Sequence, residues 1–230
     1  TTHATFRFER ENAPEGHFFI KASIKGLLGG HSGDDIEKKR ANAIKILTRF
    51  LYIEQEKTDL RLAQFNSGKM HNAIPRDGSI VFAVPDSAKE TVRADWNIFT
   101  SEIEEEFHVT DTNMVFMMES TERCTVIPKE TGTRIIRALQ GIDNGIFAMC
   151  QDEALAWMVE TSSNVASVTT ADNSMEIVAS QRSNVMSNLE NQCNTIKAVF
   201  ELAGAEVVQG DGYPAWKMKA DSKLTKTAVE

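Results

Sequence analysis

The chain has 230 residues, a net charge of −8 and 41% hydrophobic residues. That length can bury a substantial core in one or two domains, and an acidic balance without a basic cluster argues against a nucleic-acid surface. No apolar run approaches the ~18 residues that a membrane-spanning helix needs, which argues against a membrane protein. The three cysteines are odd in number and widely spaced, which favours reduced thiols in the cytoplasm over a disulfide framework.

The N-terminal half of the chain alternates strand-like and helix-like patterns. The spacing of apolar residues predicts strands over 17–27, 60–65, 79–84 and 112–118 and helices over 36–54 and from 87 to 107. Ser87 and Glu90 have the spacing of a capping box at the start of the second helix. The order is β-α-β-β-α-β, the arrangement of a ferredoxin-like unit.

The C-terminal half repeats much of this order. The patterns predict a helix from Pro128 to Gly141, a hairpin of strands 159–170 and 174–180, a helix from about 183 to Gly204 and a strand over 205–209. Asn72 and Asn164 lie at similar places before the two hairpins, which indicates an internal duplication. We therefore predict an α+β fold of two ferredoxin-like halves, with an antiparallel sheet and helices on one face.

The strongest candidate for chemistry is His31 in Gly29-Gly30-His31-Ser32-Gly33, at a predicted strand-to-helix corner. Glycines let the backbone turn tightly and leave space around the imidazole, which can donate a hydrogen bond to a polarised oxygen. A glycine-rich connector with an exposed histidine remains an equal alternative. A phosphate cradle is less favoured, because the spacing matches no phosphate-binding motif and two aspartates follow the loop.

Two further polar residues are candidates for substrate binding. Asn72 lies in a polar turn, where ordinary turn chemistry is the simpler explanation. Arg182 follows a predicted strand, where a guanidinium can bind a carboxylate with two hydrogen bonds or can merely be solvated. The five histidines are scattered, and the spacing of histidines and cysteines fits no zinc site, so we predict no metal site in this chain.

These segments together resemble one family of enzymes. The chain resembles the lid domain of the aminoacyl-histidine dipeptidases (Xaa-His dipeptidases, peptidase D), dizinc enzymes of the M20 metallopeptidase clan. The resemblance extends over about residues 6–224. The matching motifs, in chain order, are Lys25-Gly26-Leu27-Leu28-Gly29-Gly30-His31-Ser32-Gly33-Asp34-Asp35-Ile36, Asn42-Ala43, Asn72-Ala73-Ile74-Pro75-Arg76, Val159-Glu160-Thr161-Ser162-Ser163-Asn164-Val165, Arg182-Ser183, Leu202-Ala203-Gly204-Ala205 and Tyr213-Pro214-Ala215-Trp216.

The resemblance implies a role for each candidate residue. His31 matches the lid histidine that stabilises the tetrahedral oxyanion, and Arg182 matches the arginine that binds the terminal carboxylate of the substrate. Asn72, Asn164 and Ala215 match substrate-binding positions, and Ala215 departs from the glycine that the family usually has there. The implied parent is a cytoplasmic hydrolase of Xaa-His dipeptides such as carnosine, with two zinc ions held outside this chain.

The resemblance also implies a division of the chain. Residues 1–16 are then a linker from an absent catalytic domain, 17–210 are the lid with halves 17–118 and 119–210, and 211–230 begin the returning catalytic segment. The partners would be the dipeptide, the catalytic domain and, in one arrangement, a second copy of the protein. The chain alone is expected to be inactive. The alternatives are an M20 peptidase of other specificity and a non-catalytic ferredoxin-like interaction module.

Overall fold

Residues 1–215 are described by a computed structural model with four helices and thirteen strands. The helices are α1 (Ala43–Lys57), α2 (Lys89–Glu106), α3 (Lys129–Gly141) and α4 (Met186–Leu202). The strands are β1 (Thr2–Arg7), β2 (Glu11–Asn12), β3 (His17–Lys25), β4 (Gly30–His31), β5 (Arg61–Ser67), β6 (Ala73–Ile74), β7 (Gly78–Pro85), β8 (Val115–Ser120), β9 (Thr125–Val126), β10 (Gly145–Met149), β11 (Val159–Thr170), β12 (Ser174–Ser183) and β13 (Glu206–Gln209).

One antiparallel sheet contains both halves of the chain. Its strand order is β13-β1-β12-β11-β5-β7-β3-β8, and β10 pairs with β11 beside this path. The halves meet where β11 pairs with β5, through Val168 and Ser67. The predicted α+β class and the antiparallel sheet are confirmed. Both halves place their first strand between their third and fourth, the ferredoxin-like order, while the duplication itself stays a prediction.

The first strand of the second half comes from the N-terminus of the chain. Thr2, Ala4 and Phe6 are buried, and β1 pairs with both β12 and β13. Residues 2–7 are therefore part of the sheet, in contrast to the predicted linker over 1–16, and the second half does not begin at 119. In the sequence, the first half is inserted into the second half, between its first strand β1 and its first helix α3. The predicted returning segment over 211–230 is described only to residue 215, and the rest lies outside the described residues.

The helices pack on one face of the sheet because each has an apolar stripe. In α2, for example, Val92, Trp96, Phe99 and Ile103 recur at helical spacing and are buried. They belong to one continuous core with residues of α1, α3, α4 and the facing sides of the strands. A small second cluster around Phe19 lies on the opposite face. No helix in residues 1–215 is long and apolar enough to cross a membrane.

Three predicted helix starts differ from the structure. Residues 36–38 form a short 3₁₀ turn, and α1 begins only at Ala43, after Asn42 has capped it. Helix α2 begins at Lys89 without a side-chain cap, so the predicted capping box is absent. Ser183 belongs to β12, because the strand continues beyond the apolar run and the helix begins at Met186.

Lys45 joins the two halves on the helical face. From α1, its ammonium donates hydrogen bonds to the carbonyls of Leu139, Gln140 and Ile142 at 2.7–3.1 Å, at the C-terminal end of α3. Burial lowers the pKa of Lys45 to about 8, although the negative charge of Asp143 acts to raise this pKa. The group therefore stays charged at pH 7, where it satisfies carbonyls that a helix end leaves without partners.

Replacing Lys45 by methionine should lower the free energy of unfolding by about 1–3 kcal/mol, because three half-buried carbonyls lose their charged donor. Denaturant unfolding at pH 7 measures this change. Lys197→Met is the matched control, since Lys197 makes an exposed pair with Glu201 at 3.7 Å and no further salt bridge within residues 1–215, and its effect should stay within about 0.5 kcal/mol. Equal stabilities of the two variants would contradict the capping role of Lys45.

Candidate functional site

The loop that carries His31 connects β3 to α1 and requires glycine at two positions. Gly29 and Gly30 have φ values of 61° and 141°, in the region that favours glycine. A Cβ on Gly29 would stand 2.3 Å from Cγ of Arg76, and one on Gly30 would stand 2.5 Å from Oδ2 of Asp35. The glycines thus allow both the turn and the close packing that hold His31 in place.

A carboxylate inside the loop fixes the backbone of His31. The N–H of His31 donates to Oδ2 of Asp35 at 2.8 Å, and Nζ of Lys38 donates to the other oxygen at 2.6 Å. Arg40 lies beside the same carboxylate at 3.6 Å and donates to the carbonyl of Gly29. The hydrogen bonds from Lys38 and from the His31 backbone hold the pKa of Asp35 below its ordinary value. Asp35 therefore remains a carboxylate that orders the loop.

The imidazole of His31 is oriented through Nδ1. This atom lies 3.4 and 3.3 Å from the backbone nitrogens of Gly33 and Asp34 and 3.0 Å from Oδ2 of Asp34. A neutral ring that accepts from the backbone at Nδ1 carries its proton on Nε2, a neutral ring that donates from Nδ1 to Asp34 leaves Nε2 as an acceptor, and a protonated ring donates from both nitrogens. Nε2 is therefore a donor in the first and third of these states, and the side chain is 38% exposed.

Arg182 meets His31 across Gly33. Arg182 lies in β12, opposite Ser162 of β11, and is exposed. A Cβ on Gly33 would stand 3.2 Å from Cε1 of His31 and 3.3 Å from Cζ and Nε of Arg182. The structure therefore brings together the two residues that the sequence placed 151 positions apart. In residues 1–215, no carboxylate lies within 4.0 Å of the Arg182 guanidinium.

Asn72 lies next to His31 because β6 pairs with β4. His31 stands opposite Ala73, and the N–H of Ser32 donates to the backbone carbonyl of Asn72 at 2.9 Å. The side chain of Asn72 is half-buried. The structure thus places Asn72 at the site, where its main chain holds the histidine loop, and substrate binding by its amide stays a prediction.

Asn164 is also near the site, but its amide is used inside the protein. It is 1% exposed, its Nδ2 donates to the carbonyl of Ala73 at 2.9 Å, and its Oδ1 accepts from Nδ2 of Asn42 at 3.3 Å. These contacts tie β11 to β6 and to the start of α1. They favour a supporting role for Asn164 over the predicted contact with substrate.

Sequence reasoning missed the other two amides of this cluster. Oδ1 of Asn42 caps α1 by accepting from Ile44 and Lys45, and its Nδ2 donates to the carbonyl of Val165 at 2.9 Å. Oδ1 of Asn144 accepts from the N–H of Val165 at 2.9 Å and from Asn42 at 3.2 Å. An asparagine directly before an apolar helical stripe is a cap signal, whereas nothing local in the sequence indicates the pairing with Asn144.

Ala215, the remaining predicted residue, follows the edge strand β13. Gln209 pairs with Thr2, and Thr2 pairs with Ala179, so these residues lie at one level of the sheet. The chain therefore leaves β13 near the end of the sheet that carries Arg182. Ala215 itself is half-buried, and a substrate contact there stays a prediction.

Together, the imidazole of His31 and the guanidinium of Arg182, which has no carboxylate within 4.0 Å among residues 1–215, form a small corner that can bind an anion. Such donors stabilise an oxygen that gains negative charge during a reaction. In residues 1–215, no group of three or more His, Cys, Asp or Glu side chains is arranged to hold a metal ion. The arrangement supports substrate binding and oxyanion stabilisation, and it includes no activated nucleophile of its own among the described residues.

Comparison with known proteins identifies the class to which this fold belongs. Residues 22–111 match the family model of the peptidase dimerisation domain of the M20 peptidases. This range includes the histidine loop, α1 and most of the first ferredoxin-like half. Residues 22–111 are therefore similar to an M20 peptidase dimerisation domain.

Two dipeptidases match the chain over almost its whole length. It is 33% identical over 223 residues to the cytosol non-specific dipeptidase of Escherichia coli (strain K12). This alignment covers 96% of the chain and 45% of that protein. It superposes on the crystal structure of aminoacylhistidine dipeptidase from Vibrio alginolyticus with a TM-score of 0.92 and 33% identity, over 98% of the chain and 46% of that protein. The chain thus spans less than half the length of these homologues.

Proposed function

We propose that this chain is the lid of an M20-family dipeptidase and that it supplies two substrate-binding groups to an active site formed with a separate catalytic domain. The observation that carries the proposal is the convergence of His31 and Arg182 at Gly33. His31 belongs to β4 of the first half, in the small β4–β6 sheet, and Arg182 belongs to β12 of the second half. Their pairing is therefore a property of the folded chain and not of either local motif.

Because His31 and Arg182 both lie against Gly33, we infer a substrate with a peptide bond beside a terminal carboxylate. In a substrate whose last residue is released, only the amide nitrogen and one Cα separate the scissile carbonyl carbon from the carboxylate carbon. We assign the carboxylate to Arg182, whose planar guanidinium can form two parallel hydrogen bonds with it. We assign the scissile oxygen to Nε2–H of His31, which stabilises the negative charge of the tetrahedral intermediate.

Metal ions in this proposal belong to the catalytic domain. The M20 resemblance implies two zinc ions, which would activate the attacking water. The described part of this chain offers no set of ligands that fits them. We therefore assign no step through a metal to these residues and limit the lid to binding and orienting the substrate.

The names of the relatives support two ranges of substrate. The Vibrio homologue is an aminoacylhistidine dipeptidase, which supports Xaa-His dipeptides such as carnosine. The Escherichia coli homologue is a non-specific dipeptidase of the cytosol, which favours a broader range as the second candidate and supports a cytoplasmic location. The dimerisation-domain match supports a homodimer.

The proposal predicts that the full-length protein hydrolyses carnosine and other dipeptides in the presence of zinc or cobalt, and that the 230-residue chain alone does not. Metal-assisted hydrolysis needs a bound water of lowered pKa, and residues 1–215 offer no set of metal ligands to hold one. The measurement is release of free amino acids from a panel of dipeptides. Inactivity of the full-length protein towards every dipeptide would contradict the proposal, and turnover by the isolated chain that survives repurification would contradict the division of labour.

A further inference from the structure

The histidine loop is closed at its neck by one buried carboxylate, Asp111. The N–H of Leu28, where the loop begins, donates to Oδ1 of Asp111 at 2.7 Å. The N–H of Ala41, where the loop ends, donates to Oδ2 of the same side chain at 2.9 Å. Asp111 thus joins two points that are 13 residues apart in the sequence and closes the segment between them into a single loop.

Burial makes this anchor important. Asp111 is 2% exposed and Ala41 is fully buried, so water cannot readily replace the carboxylate as the partner of the Ala41 N–H. A buried donor that loses its acceptor costs free energy, and a buried carboxylate needs such donors in turn. The two amides and Asp111 therefore stabilise one another.

The position of Asp111 is set by the first half of the sheet. Its N–H donates to the carbonyl of Phe107 at the end of α2 at 2.9 Å. Two residues further on, the carbonyl oxygen of Asn113 lies so close to Gly26 that a Cβ there would overlap with it at 2.1 Å. The carboxylate is therefore held between α2 and β3, and it transfers that fixed position to the loop.

The loop above the neck is ordered internally, so the neck and the β4–β6 pairing together determine how it is placed. Asp35 fixes the backbone around His31, and β4 pairs with β6. Arg182, in contrast, belongs to the second half. A shift at the neck would therefore displace the loop, and with it the imidazole, relative to the guanidinium, as far as the pairing of β4 with β6 allows.

We propose that Asp111 is a positioning residue that sets the location of His31 relative to Arg182 by clamping both ends of the histidine loop. This inference rests on the proposed function for its catalytic consequence, while the clamp itself is a structural property. Asp111 does not touch the substrate in this account. It acts through the loop alone.

Asp111→Asn tests the proposal with little change in shape, because the asparagine oxygen can accept from one of the two amides and its NH₂ group must face the other. In the full-length protein we expect Asp111→Asn to lower kcat about 10- to 100-fold and to change KM by no more than about twofold, because a displaced catalytic group slows the reaction more than it weakens substrate binding. Asp172→Asn is the control, since Asp172 is exposed at the β11–β12 hairpin, away from the site. Equal kcat values for the two variants would overturn the proposal.

Amide hydrogen exchange on the same proteins provides a readout that needs no activity. In Asp111→Asn, the amides of Leu28 and Ala41 should exchange faster than in the parent, while the amides of β3 and β7 keep their protection. Unchanged exchange at Leu28 and Ala41 would overturn the clamp even if the parent proves to be inactive on dipeptides. Inactivity of the parent with faster exchange at these amides would instead reject only the proposed function.

Asp111→Glu is the second variant, in case Asp111→Asn unfolds the chain. It keeps the charge but places the carboxylate one methylene further out. Its kcat should therefore lie between those of the unsubstituted protein and Asp111→Asn. If Asp111→Asn does not fold, the kcat of Asp111→Glu should still be lower than that of the unsubstituted protein. A kcat equal to that of the parent, with exchange unchanged at the neck, would count against positioning by Asp111.

Discussion

His31→Ala in the full-length protein is expected to lower kcat about 100- to 1,000-fold, with a much smaller change in KM. A donor to the oxyanion acts mainly in the transition state, and loss of one such donor typically costs about 2.7–4 kcal/mol. The structure is compatible with this role because Nδ1 is directed to the backbone of Gly33 and Asp34 and to the Asp34 carboxylate, so that Nε2 is the ring nitrogen left for the substrate. Steady-state kinetics on a dipeptide measures both constants.

The control for this prediction is His108→Ala. His108 is exposed after α2, and its ring contacts the carbonyl of Glu105, so its removal should leave kcat nearly unchanged. If His31→Ala matched this control, His31 would be an exposed residue on a glycine-rich connector, the alternative that the sequence left open. A large rise in KM at constant kcat would indicate ground-state binding in place of oxyanion stabilisation.

Arg182→Ala is expected to lower kcat/KM about 10- to 150-fold, because a charge-assisted contact to a carboxylate contributes roughly 1.5–3 kcal/mol. The loss should depend on the substrate carboxylate. The parent should prefer a dipeptide with a free carboxylate over its C-terminal amide, and Arg182→Ala should lose most of this preference. The measurement is the ratio of kcat/KM for the acid and the amide in each protein.

Two further variants sharpen the arginine prediction. Arg182→Lys keeps the charge but lacks the planar fork of donors, so it should recover only part of the preference. Arg7→Ala removes an exposed arginine that pairs with Glu206 and should keep the preference of the parent. If Arg182→Ala preferred the free acid as strongly as the parent does, the carboxylate would bind elsewhere.

Local patterns in the sequence predicted most of the fold. The apolar stripes of α1 and α2 and the strand around Phe82 follow from residue spacing, because each element buries one face against the sheet. The strand β1 was missed because Thr2 and Ala4 are small and only Phe6 carries a strong apolar signal. Its place between β12 and β13 depends on residues at least 167 positions away, which no local window includes.

The candidate site shows the same limit. The glycines around His31 and the predicted strand before Arg182 could be recognised in the sequence. The contact of both His31 and Arg182 with Gly33, in contrast, depends on the three-dimensional fold. Asp111 follows a helix and resembles any polar turn residue in the sequence. Its two partners, Leu28 and Ala41, lie 83 and 70 positions away, so its clamp on the loop emerges only from the three-dimensional structure.

The most direct test of the account is a crystal structure of the full-length protein with a phosphinic dipeptide analogue, whose tetrahedral phosphorus imitates the reaction intermediate. The account predicts that Nε2 of His31 lies within about 3 Å of a phosphinate oxygen and that the Arg182 guanidinium binds the terminal carboxylate of the same molecule. An analogue whose phosphinate and carboxylate are both bound by other residues would contradict the central claim that this chain supplies the two groups.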